Sequence, residues 1–167
     1  MATTEQVPEL KWVEAFCLTG MHMQISIEMN HTVALWKQFM PRKHEITQII
    51  SDALYSVQEY PPQFNFMKPD IRMPFTKWVA VEAPCNMIAP NQMEVLTVPS
   101  GYYAVFLHRG TPDQYFQTMD FIFNRWLPAS SYKYDFRPQF ERMDHRYKHN
   151  QPDSIEEVWI PVRQKEA

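Results

Sequence analysis

Met21-His22-Met23-Gln24-Ile25-Ser26-Ile27-Glu28 alternates apolar and polar side chains almost without a break, which is the period of a half-buried strand. Asn30-His31-Thr32 then offers a cap region, and Val33, Leu35, Trp36 and Phe39 fall on one helical face, so a helix is expected over Thr32 to Met40. Pro41 breaks or bends it, with Ile46 to Ile50 as its continuation. Leu54 to Tyr60 and Thr76 to Glu82 read as two further strands on either side of a proline-rich loop. The order then repeats. Met93 to Pro99 leads through Ser100-Gly101 into a strand over Tyr102 to His108. Pro112 suits the first turn of a helix carrying Tyr115, Phe116, Met119, Phe121, Ile122, Phe123 and Trp126, and Pro128 ends it. Tyr132 to Met143 and Glu157 to Val162 supply two more strands. Strand, helix, strand, strand occurs twice as a layout, without sequence identity between the halves. This predicts an α+β domain with helices on one face of an antiparallel sheet.

Composition narrows the class. A chain of 167 residues fills one core, whereas two independent halves would each be marginal, so residues 1–167 are expected to form a single domain with 1–10 as a flexible tail. Hydrophobic residues make up 45% and aromatic ones 14%, which excludes disorder. The net charge is -3 with no basic run, so no direct nucleic-acid binding is expected. No apolar run approaches the roughly 20 residues of a membrane span, and the start is not that of a signal peptide. Cys17 and Cys85 lie far apart and read as reduced thiols of a cytoplasmic protein. Three glycines and no GxGxxG or GxxxxGK[ST] pattern argue against a phosphate-cradling loop. The six histidines form no HxH or HExxH pair, and no CxxC occurs, so neither a metal nor another cofactor is expected.

Side chains alternate across a sheet, so each strand divides into two sets. Val79 and Val81 oppose Trp78 and Glu82, while Val158, Ile160 and Val162 oppose Glu157 and Trp159. By the same reasoning Tyr60, Phe106 and Glu141 join the non-aliphatic face. Taken singly, each reads as a plain strand residue facing solvent or covering the sheet. Together, tryptophans and acids on one face resemble a pocket wall for an organic cation, since ring faces attract the charge and a carboxylate in a partly dry site neutralises it.

The ordered set Leu35 to Arg42, Phe75 to Glu82, Pro99 to Phe106, Arg137-Pro138-Gln139-Phe140-Glu141 and Glu156 to Val162 resembles the GyrI-like small-molecule-binding domain. This domain is also the effector-binding domain of AraC-type transcription regulators. The likeness spans residues 12–163. It implies two SHS2-like strand-helix-strand-strand units with a groove between them that takes hydrophobic, often cationic, compounds. By position Glu141 is the acid that meets the charge, and Trp78 and Trp159 are aromatic pocket residues. Phe136 stands where an acid commonly precedes the Arg-Pro pair, and Arg142-Met143 departs from the usual continuation. The short stretch before the first strand leaves no room for a helix-turn-helix module, so a stand-alone domain is expected.

The sequence therefore predicts binding of a hydrophobic, cationic small molecule by Glu141, Trp78, Trp159, Phe106 and Tyr60, with Glu157 or Glu82 assisting. Two alternatives follow from the resemblance. One is a hydrolase of strained electrophilic compounds using Glu141; the other is a protein-interaction module whose partner is a regulator or DNA gyrase.

Overall fold

The strand-helix-strand-strand order is laid down twice, and all the strands join one antiparallel sheet. The computed structural model describes residues 6–166. Its strands are β1 (Glu9–Val13), β2 (Phe16–Ile25), β3 (Leu54–Glu59), β4 (Phe75–Glu82), β5 (Glu94–Val98), β6 (Gly101–Arg109), β7 (Tyr132–Tyr134), β8 (Gln139–Met143) and β9 (Ile155–Gln164). They are arranged β1-β6-β9-β8-β3-β4-β2-β5, with β7 pairing on β9. Helix α1 (Thr32–Phe39) follows β2; after β6 the segments Tyr115–Asp120, Phe121–Trp126 and Leu127–Ala129 run on from one another as a second helix, α2.

The sheet is symmetric in plan. β3 and β8, the equivalent strands of the two halves, meet at its centre with Ser56 opposite Glu141. Each half also sends one strand to the other: β1 pairs with β6, and β5 with β2. The expected tail is thus overturned from Gln6 onward. Gln6 exchanges two hydrogen bonds with the Leu107 backbone, and Glu9 and Leu10 lie in β1. Residues 1–5 lie outside the described part.

Other expectations shift for local reasons. After α1 the chain tightens into a 3-10 helix over Met40–Glu45 that contains Pro41, and Ile46 is already extended, so the continuation expected over Ile46 to Ile50 is not helical. The last turns of α2 widen to π type over Phe121–Trp126 ahead of Pro128, whose ring lacks the N–H that a regular turn needs. The strand expected over Tyr132 to Met143 is broken into β7 and β8 at Asp135–Pro138. Arg137 fills that break, donating to Asp135 at 2.5 Å and to the Tyr102 carbonyl at 2.6 Å.

The two faces of the sheet are buried differently. One lies under the helices, where Leu35 and Phe39 of α1 pack on Met21, Val79 and Val81. Beneath α2, Ile122 and Phe123 pack on Ala104, Phe106, Val158 and Ile160. The other face has no helix on it, yet Leu18, Val57, Trp78, Val98, Tyr103 and Phe140 form one buried cluster there. Strands from both halves contribute, so the sheet curls around its own aromatic side chains. Cys17 and Cys85 are joined in a disulfide, correcting the expectation of free thiols. The register pairing Leu18 with Glu82 brings the chain after β4 back beside Cys17, a proximity that a separation of 68 residues conceals.

Candidate functional site

Where the halves meet, α1 and α2 stand apart and leave β3 and β8 uncovered between them. The result is a groove of about 460 Å³ on the helix-bearing face. Its floor is polar: Ser56 and Gln58 from β3, Lys77 from β4, Glu141 from β8 and Glu156 from β9. Its walls are largely apolar, with Ile25 and Trp36 on one side and Tyr115 and Met119 of α2 on the other. Tyr60 and Phe75 close one end as part of a ring cluster in which Tyr60 lies 4.7 Å from Phe75 and 4.5 Å from Phe64.

Glu141 is only 5% exposed. It accepts a hydrogen bond from the Tyr115 hydroxyl, while its Oε2 has no partner among the described residues. Burial raises its pKa, and the Lys77 ammonium and then the neighbouring Gln58 side chain work in the opposite direction. Glu156 is pushed up to about 7, first by burial and then by the Glu141 charge, again against Lys77. Lys77 is itself lowered by burial and supported by both acids. These three groups therefore titrate as a coupled set. Burial also raises the Tyr60 hydroxyl, with Glu141 adding to the effect.

Tyr115 is held in place from below. His108, 2% exposed on β6, lies 2.8 Å from the Thr118 hydroxyl through Nδ1 and 3.1 Å from the Thr111 carbonyl through Nε2. The carbonyl can only accept, so Nε2 carries the proton and Nδ1 accepts from Thr118. Burial lowers the His108 pKa, consistent with this neutral form. The start of α2 is thereby tied to β6, with Tyr115 edge-on to the imidazole at 5.4 Å.

The residues expected from the sequence do not all converge here. Glu141 and Tyr60 line the groove. Phe106 is on the same face but lies under α2, 1% exposed and 5.1 Å from Trp126. Trp78 lies on the opposite face, 5% exposed, with its indole N–H donating to Glu59 at 2.8 Å. The register explains the split: Trp78, Val57, Phe140 and Trp159 form one row across the sheet, while Val79, Ser56, Glu141 and Val158 form the next. Adjacent rows point to opposite faces. The wall shared by Trp78 and Glu141 is therefore corrected to two separate faces.

Trp159 and Glu82 border a smaller hollow of about 270 Å³ on the far side, together with Tyr55 and Arg142. Glu157 also points that way and is engaged by Arg142 at 3.5 Å and Arg146 at 3.3 Å. Its charge is already matched by protein. Conversely, sequence reasoning missed Glu156, Lys77, Gln58 and Tyr115. Strand phase carried the signal for two of them: Lys77 is in step with Val79 and Val81, and Glu156 with Val158 and Ile160. A charge in the aliphatic phase marks a gap in helix cover. Among the described residues, no group of three or more His, Cys, Asp or Glu side chains is arranged to hold a metal ion, and no helix is long and apolar enough to cross a membrane.

Known proteins place this architecture. Transcriptional regulator BrlR of Pseudomonas aeruginosa is 27% identical over 151 residues, covering 89% of this chain. The match takes in 52% of the regulator, so the chain spans about half its length. Among solved structures, SAV2435 bound to tetraphenylphosphonium superposes with a TM-score of 0.71 at 17% identity, covering 95% of this chain and 94% of that one. EcmrR in its DNA complex gives 0.68 at 12% identity, covering 95% and 58% respectively. A hydrolase encoded by lin2189 of Listeria innocua gives 0.60 at 10% identity, covering 97% and 94%. The GyrI-like small molecule binding domain matches residues 6–163, nearly the whole sheet and both helices, and the chain belongs to that family.

Proposed function

We propose that this chain binds a hydrophobic cation in the groove between α1 and α2, with Glu141 as the principal charge partner. The observation that carries this reading is the unpartnered Oε2 of a carboxylate that is only 5% exposed, at the floor of an apolar-walled groove. A buried acceptor without a partner costs on the order of 1–3 kcal/mol, so a ligand that satisfies it gains that amount in addition to its apolar contact. Trp36, Tyr60 and Tyr115 supply ring faces, and Glu156 adds negative charge as it ionises. Micromolar affinity, roughly -8 kcal/mol, is within reach of such a site. The tetraphenylphosphonium bound by SAV2435 is a ligand of this chemical type. The BrlR match supports a sensing role within a regulatory system.

Titration with tetraphenylphosphonium and with neutral triphenylphosphine oxide tests the charge role. Glu141→Gln should weaken the cation by about tenfold or more, and the neutral compound by no more than about twofold. Equal losses for the two compounds refute the assignment.

One observation favours a second reading. Glu156, with a pKa of about 7, lies in the same groove as the Tyr115–Glu141 pair, and a carboxyl poised near neutrality can give or take a proton in hydrolysis. Hydrolysis predicts turnover of a strained electrophile that Glu156→Gln abolishes. Binding predicts recovery of the compound unchanged.

A further inference from the structure

The groove floor contains more than negative charge. Lys77 is 6% exposed and lines the groove, yet among the described residues its ammonium makes no hydrogen bond or ion pair. Gln58 is likewise 6% exposed, and its Oε1 has no partner. With Glu141 Oε2, three buried polar groups therefore share one cavity: one donor and two acceptors. Register fixes their arrangement. Gln58 stands directly opposite Lys77 on β4, and Ser56, one step along the same face of β3, stands opposite Glu141 on β8. Donor and acceptors therefore reach the groove from adjacent strands, about 5 Å apart per strand.

A bare lipophilic cation meets the charge of Glu141 and the apolar walls but leaves the rest of such a floor unsatisfied. It has no N–H for Glu141 or Gln58 and no acceptor for Lys77, whose own charge opposes its entry. We propose that the groove selects an apolar, ring-bearing amine that keeps an ammonium N–H and carries an oxygen acceptor a few bonds away. The N–H donates to Glu141 Oε2 and Gln58 Oε1, and the oxygen accepts from Lys77 Nζ. This rests on the reading of the groove as a cation site and specifies which cations it prefers. Lys77 then determines specificity.

Calorimetric titration of the full chain with three probes tests the proposal: propranolol, its deoxy analogue, and its N,N-dimethyl quaternary salt. Propranolol has both the N–H and the hydroxyl, the deoxy analogue lacks the hydroxyl, and the salt lacks the N–H. The wild-type protein should bind propranolol about tenfold more tightly than either analogue, as expected when a buried partner is left unsatisfied. In Lys77→Met the advantage of propranolol over the deoxy compound should disappear, while the quaternary salt should bind more tightly than it does to wild type. The wild-type series stands by itself if the variant does not fold. Equal affinity for all three probes overturns the donor–acceptor requirement and leaves a cation groove in place. Failure of every probe to bind removes the cation groove, and this inference with it.

Discussion

At neutral pH the Glu156 carboxyl lies between charge states, because burial and Glu141 resist its ionisation while Lys77 favours it. Its folded pKa of about 7 is above the ordinary 4.5, so the folded chain holds a proton that the unfolded chain releases. The contribution of this group to stability is fully present below pH 4.5 and is lost as pH rises through about 7. Urea melts at about pH 5 and about pH 8 should show that loss, and it should be absent in Glu156→Gln. Ligand binding has the opposite sign. A bound cation prefers the ionised carboxylate, so its affinity should rise by up to about tenfold between roughly pH 6 and pH 8, and this rise should also vanish in Glu156→Gln. An affinity that is flat with pH in the wild type contradicts Glu156 as a groove acid. Glu141 was legible in the sequence through the Arg137-Pro138-Gln139-Phe140-Glu141 run. Its partner Tyr115 was not, because the aromatic positions of α2 read as core until the helix is seen to stand over β8.

At the scale of elements, the strands were legible and their phases only partly so. β4 and β9 carry unbroken alternation, and their aliphatic rows do lie under the helices. Alternation cannot be carried through Pro138, where the backbone leaves the ladder between β7 and β8, and sequence alone therefore puts Glu141 on the tryptophan face. β1 was not predicted, since Glu9–Val13 is short and its pairing with β6 is a long-range event. Gly20 in β2 shows how closely the strands approach. A Cβ built there would lie 2.0 Å from the Val79 carbonyl oxygen, a backbone atom that cannot swing aside. Gly20→Ala should therefore destabilise the fold by about 1–3 kcal/mol, measured as a fall in the urea midpoint. An unchanged midpoint would contradict the tight β2–β4 register.

For the whole molecule, the doubled layout predicted two equivalent units but not their exchange of edge strands. With β1 on β6 and β5 on β2, neither half has a complete sheet of its own. The fragment 6–90 should accordingly show no cooperative thermal transition, and a sharp melt would count against the interlocked sheet. Curling the sheet around Trp78, Tyr103 and Phe140 fills the face that sequence alone offered as the pocket wall. The ligand space we propose is accordingly on the helix-bearing side, between the helices. The hollow beside Trp159 and Arg142 on the far side is the competing location. A crystal of the chain soaked with tetraphenylarsonium separates the two, because arsenic marks its own position by anomalous scattering. Arsenic density between α1 and α2, above Glu141, is the predicted result; density in the Trp159–Arg142 hollow with an empty groove would contradict it.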